Sequence, residues 1–227
     1  MRYLPFTLLL CALTVPAGAI TREDVLSRMD QNGPSFKSLT GNLNALNYTK
    51  VIDDKAEESG TIAVKKNKPK DVQFLVDFTK PDPRTVSFRG RKAEIFYPKI
   101  KTVQEYDLGK QSNMVESFLL LGFGATGKDL ASNYDVKYVG EETINGQKAS
   151  HLELIPKSAD TRKSLSKLEL WMSEDGTYPV RQKIYDPSGN YRVFTYSDVK
   201  VNPALSADAV TLKLPSGVKR EYPQRDR

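Results

Sequence analysis

From residue 72 onward the chain is a succession of short alternating apolar segments cut by turn residues, a rhythm that restricts it to mainly antiparallel β structure. VQFLVDF sets Val72, Phe74, Val76 and Phe78 on one face of a strand, and KPDPR ends it. TVSFRGRKAEIFYP adds Val86 and Phe88, a turn near Gly90, then Ala93, Ile95 and Tyr97. YDVKYVGEETINGQKASHLELI reads as a hairpin with Asn145-Gly146 at its tip. LELWMSEDGTYPVRQKIYDPSGNYRVFTYSDVKV gives three more strands, joined at Glu174-Asp175-Gly176 and Asp186-Pro187-Ser188-Gly189. The pattern gives about eleven strands. A sheet of that size curls or closes instead of staying flat. The expected fold is therefore an incomplete, unclosed antiparallel β-barrel with a few helices acting as plug or lid.

Two stretches are available to cover such a sheet. Residues 20–31 (ITREDVLSRMDQ) read as a short helix capped by Thr21, with Val25, Leu26 and Met29 on one stripe. Residues 111–133 contain SFLLLGFGAT, where Phe118, Leu119, Leu120, Leu121 and Phe123 crowd together in a chain of mean hydropathy -0.49. A surface helix offers an apolar stripe and cannot bury them all. They are expected to enter the mouth of the curled sheet as a lid, with Ser112 as cap and Gly122 and Gly124 permitting a break. An ordinary core helix would bury the same residues. The two readings differ in whether the segment can leave.

The chain begins MRYLPFTLLLCALTVPAGA: a positive Arg2, an apolar run from Tyr3 to Val15, and the small residues Ala17-Gly18-Ala19. That is the pattern of a secretory signal peptide, residues 1–19, cleaved after Ala19. The only cysteine, Cys11, falls inside it behind the large Leu10, which does not suit lipid attachment. Residues 20–227 then form a single cysteine-free domain, expected to be a soluble periplasmic monomer held together by burial. The formal net charge is +6, but the basic residues around 65–70 and 89–92 lie in strand-like text near turns, as on a solvated face. Export also removes most nucleic-acid partners, and none is expected.

Catalytic chemistry finds little footing. The single histidine, His151, sits in the strand KASHLELI, and no G-x-S-x-G elbow or H-E-x-x-H metal motif occurs. The pairs Glu57-Glu58 and Glu141-Glu142 read as solvated residues beside turns. GFGATGK does not have P-loop spacing. No catalytic residue, metal ligand or cofactor is assigned, and the chain is expected not to be an enzyme. Phe74, Val76, Phe78 and Phe88 are instead expected to line an apolar cavity, along with Trp171, although Leu170 and Met172 compete with Trp171 for the inward face.

The order of features resembles the LolA-like family of periplasmic outer-membrane lipoprotein carriers. The matching residues are the N-terminal helix, the strand end Lys66-Asn67-Lys68-Pro69, the phenylalanine strand and Gly90-Arg91 with Tyr97-Pro98. They continue with the apolar FLLL and the closing strands down to the P-x-G-V at residues 215–218. The resemblance covers nearly all of residues 20–220. It implies a half-barrel whose cavity carries the acyl chains of lipoproteins or other lipids. Cargo would pass from an inner-membrane lipoprotein-releasing transporter to an outer-membrane acceptor. Relatives of the fold also act as lipid-sensing envelope regulators, an alternative reading of the same cavity. Where the family has an arginine before the proline, this chain has Lys68, which the resemblance makes the latch on the lid backbone. A lysine lacks the rigid guanidinium fork and would hold less tightly. N-terminal sequencing of the exported protein should begin at Ile20; a lipid-bearing start at Cys11 would overturn the periplasmic assignment.

Overall fold

Thr21 opens the first helix. Its hydroxyl accepts from the Asp24 amide at 3.2 Å, while the Asp24 carboxylate accepts from the Thr21 amide at 2.8 Å. Each side chain thus satisfies a backbone donor that the first turn leaves free. In the computed structural model, which describes residues 19–68, 71–109 and 121–224, this helix is α1, Arg22–Asn32, with Val25 and Met29 buried. Two shorter helices follow, α2 (Gly127–Asn133) and α3 (Ala159–Arg162).

The strands form one sheet. β1 (Ser38–Thr49), β2 (Asp54–Lys68), β3 (Asp71–Lys80), β4 (Arg84–Arg89), β5 (Lys92–Tyr97) and β6 (Thr102–Asp107) run as successive hairpins. β7 (Tyr134–Ile144), β8 (Gln147–Pro156), β9 (Lys167–Ser173), β10 (Pro179–Tyr185) and β11 (Tyr191–Val201) do the same. β1 pairs with β11 from Leu39↔Val201 to Tyr48↔Tyr191, joining the two meanders. The order is β12-β6-β5-β4-β3-β2-β1-β11-β10-β9-β8-β7. β7 and β12 are its free edges, so the barrel stays unclosed, as the sequence pattern implies. The described residues hold twelve strands where that pattern gives about eleven. β12 (Lys219–Glu221) has three residues, too few to show a period, and pairs parallel to β6.

Turn chemistry sets the registers. Asn145 (φ 50°) and Gly146 (φ 79°) both take the left-handed conformation that matches the twist of the flanking strands β7 and β8. Asp53 (φ 49°) does the same where β2 begins.

Strand pairing also identifies the inner face. Leu170 on β9 lies between Leu152 on β8 and Gln182 on β10, and Gln182 faces Phe194 and then Ala45 on β1. At the β7–β10 end this face is covered by α1 and α2. There Val25, Met29 and Leu130 pack with Leu152, Leu154, Leu168, Leu170 and Met172. At the β1–β5 end the same face carries Leu39, Leu43, Ile62, Val64, Phe74, Val76 and Phe88. Each fully buried side chain of this size contributes about 1.5–3 kcal/mol over exposure. The helices therefore plug one half of the concave face, and the other half is where a cavity forms.

Candidate functional site

A cavity of about 510 Å³ opens on the inner face between β1, β2, β3, β4 and β11. Its apolar wall is built from cross-strand pairs. Phe74 faces Phe88 on β4 with rings stacked 5.3 Å apart, and Val76 faces Val86. Val64 and Ile62 on β2 stand opposite Phe74 and Val76. Phe74, Val76, Phe78 and Phe88, the four strand residues singled out by alternation, all line it. This is the size range of small-molecule sites, which are mostly apolar with a few placed polar groups.

The charged groups gather at one end. Arg84 donates to Glu58 through both terminal nitrogens, at 2.6 and 2.9 Å, and its guanidinium lies 4.2 Å over the Phe78 ring. The two side chains are only 22% and 17% exposed. Glu58 is thus no solvated residue beside a turn: β2 starts at Asp54 and holds Glu58 well inside the strand. The Arg84 guanidinium holds the Glu58 carboxyl below its ordinary value, and the pairing raises Arg84 in turn. Asn47 and Arg192, opposite each other on β1 and β11, complete this end. At the other end lies a buried chain of hydrogen bonds. Tyr196 Oη donates to Gln182 Oε1 at 2.8 Å, and Gln182 Nε2 donates to the Leu121 carbonyl. Burial pushes the Tyr196 phenol far up.

The apolar segment meets the sheet here. Phe118, Leu119 and Leu120 lie outside the described residues, whereas Leu121 and Phe123 are buried. Leu121 joins the helix-covered cluster, and Phe123 packs edge-on to Tyr196 at 5.2 Å and against Phe36 at 6.2 Å. The Gly124 amide donates to the Thr177 carbonyl at 3.0 Å. Gly124 has φ 61°, and a β-carbon there would come within 2.6 Å of Phe36. Residues 121–124 are therefore seated between the two clusters.

The ammonium that reaches this segment belongs to Lys66, whose Nζ donates to the Gly124 carbonyl at 3.2 Å. Lys68 is exposed at the end of β2, opposite Asp71. Among the described residues it bonds nothing in the segment. A register shift between Lys66 and Lys68 separates the two.

Trp171 is not part of the cavity wall. Alternation along β9 turns Leu168, Leu170 and Met172 inward, so Trp171 faces out, opposite His151 on β8 and Arg181 on β10. It stacks on His151 at 4.2 Å with 13° between the planes, and Arg181 lies 5.6 Å over the ring. His151 is itself mostly covered, its side chain 12% exposed. Glu142 lies 3.0 Å from Nδ1 and Glu169 3.8 Å from Nε2. Neither approach is a hydrogen bond, because the 3.0 Å contact is poorly aligned and the 3.8 Å contact is too long.

Two measurements test these contacts. Glu58, lowered in the fold, adds stability that is present above its ordinary value of 4.5 and lost as pH falls through the lower folded value. Wild type should therefore lose stability in urea more steeply below pH 4.5 than Arg84→Gln, in which Glu58 loses the main partner that lowers it. Lys66→Met should speed amide exchange at Gly124 about fivefold, the effect of losing about 1 kcal/mol of hydrogen bonding. Lys68→Met should leave that rate unchanged; the reverse pattern would return the latch to Lys68.

No curated protein matches the chain in sequence. A protein-family model described as "Uncharacterized protein" matches residues 70–208. Among solved structures, MucB aligns over 85% of this chain and 62% of its own, at 16% identity and TM-score 0.54. In the MucA/MucB complex from Pseudomonas aeruginosa the figures are 85%, 61%, 16% and 0.50. The chain thus spans about three fifths of the MucB chains it matches. An uncharacterized conserved protein from Thermus thermophilus aligns over 88% of this chain and 98% of its own, at 12% identity and TM-score 0.52. A LolA superfamily protein from Nitrosomonas europaea aligns over 86% and 99%, at 17% identity and TM-score 0.40. The family model covers more than half of the sequence, so the chain belongs to that family, and its fold is similar to that of MucB.

Proposed function

We propose that the protein is a periplasmic carrier that shields acyl chains of lipoproteins or other lipids in its cavity between the inner and outer membranes. The observation that carries this reading is the 510 Å³ mostly apolar cavity on the concave face of an unclosed sheet, with its charged groups at one end. The leader-like residues 1–19 and the resemblance to lipoprotein carriers support the compartment and the direction. The energetics suit a carrier. Burying about 16 carbons at about 0.8 kcal/mol per methylene offers on the order of 12 kcal/mol gross. A soluble carrier must release what it binds, and a roomy cavity serves release better than a fitted one. The partners are a releasing transporter of the inner membrane and an acceptor of the outer membrane. No chemical step is assigned to the site.

A second reading is a lipid-responsive regulator of an envelope partner. The likeness to MucB, which has been solved in complex with MucA, favours it. Transfer of bound lipid to acceptor vesicles separates the two readings, since only a carrier must deliver.

A neutral environment-sensitive apolar probe should bind the wild-type protein with low-micromolar affinity. Phe74→Asp, which puts a charge in the wall, should abolish binding. Val86→Trp, which fills the cavity from a half-buried position, should do so while the fold is kept. A wild-type protein that takes up no apolar probe would show that these side chains form a dry core.

A further inference from the structure

The ionic groups at the polar end of the cavity do not balance. Glu58 is ionised and fully engaged by Arg84, which is itself fixed between the carboxylate and the Phe78 ring. Asn47 Nδ2 makes only a long contact to Glu58, at 3.4 Å. Arg192 also lines the cavity, and among the described residues it makes no hydrogen bond or ion pair. With Glu58 and Arg84 cancelling, the rim keeps one positive charge beside an apolar wall.

We propose that the occupant is an amphiphile with a single anionic headgroup, its chain along Phe74, Val76 and Phe88 and its anion on Arg192. This rests on the carrier reading and names its ligand class. The geometry favours it in three ways. Arg192 stands opposite Asn47 on β1 and Ile184 on β10, at the boundary between polar end and apolar wall. Its guanidinium has all five donors available for a carboxylate or phosphate, the groups a planar fork fits best. Arg192 attracts Glu58 through space, but the hydrogen bonds of the carboxylate go to Arg84 and Asn47, so the donors of Arg192 stay open to an anion and the net charge of this end stays positive. A neutral amphiphile would gain nothing from Arg192, and a cationic one would be repelled.

Displacement of a bound neutral probe tests this on the whole protein. Oleate should compete at least tenfold better than oleyl alcohol, which has the same chain and no charge, as expected for one charge-assisted hydrogen-bonded contact. Arg192→Gln should abolish that preference while oleyl alcohol competes within twofold of wild type. Arg192 is exposed, so the substitution leaves the packing intact. Lysophosphatidylglycerol against lysophosphatidylcholine separates the sources of the anion. A preference for the glycerol lipid that exceeds that for oleate assigns a phosphodiester, and the opposite assigns a carboxylate. If oleate and oleyl alcohol compete equally, or the preference survives Arg192→Gln, the headgroup assignment is wrong though the carrier reading stands. If neither displaces the probe and the probe itself does not bind, the carrier reading fails first.

Discussion

The structure depends on an imbalance between one large curled face and the little that covers it. A twelve-stranded, almost wholly antiparallel sheet with twist cannot lie flat, and curling produces a concave side that must be removed from water. Two short helices carry Val25, Met29 and Leu130 onto that side, enough for the β7–β10 half. The phenylalanine-bearing strands β3 and β4 lie in the other half and face a cavity. Because the sheet remains open, its two halves can differ, one packed as a core and the other hollow.

Much of this was legible in the sequence. Strict alternation in VQFLVDF set Phe74, Val76 and Phe78 on a common face, and the cross-strand partner Phe88 followed from the next strand. The helix at the start was readable because Thr21 and Asp24 have capping-box spacing. What failed did so for identifiable reasons. Leu170, Trp171 and Met172 are three apolar residues in a row, which masks the alternation that Lys167 and Glu169 begin on the outer face of β9. Trp171 is buried there by His151 and Arg181, side chains from neighbouring strands. The latch at Lys68 was implied by the resemblance alone, through its place before Pro69, and no spacing in the sequence marks Lys66 as the lysine that meets Gly124.

The Glu58–Arg84 pair shows a different limit. Neither residue carries a local signal: Glu58 stands in an acidic doublet, and Arg84 follows a proline turn. They meet because β2 and β4 flank β3 and the sheet curls between them, a three-dimensional fact with no trace in spacing. Half-buried ion pairs of this kind contribute little net stability, since desolvation offsets much of the attraction. A bidentate pair fixed over an aromatic ring instead determines where charge stands at the edge of an apolar space.

The outward placement of Trp171 also decides what light can report about this protein. It is the only tryptophan in the chain, and its indole is 5% exposed, stacked on His151 on the side of the sheet away from the cavity. Intrinsic fluorescence will therefore follow the stacking on the imidazole neighbour and the integrity of β8–β10. A constant emission spectrum on mixing with lipid is uninformative about occupancy, because the chromophore and the hollow lie on opposite sides of one layer of backbone.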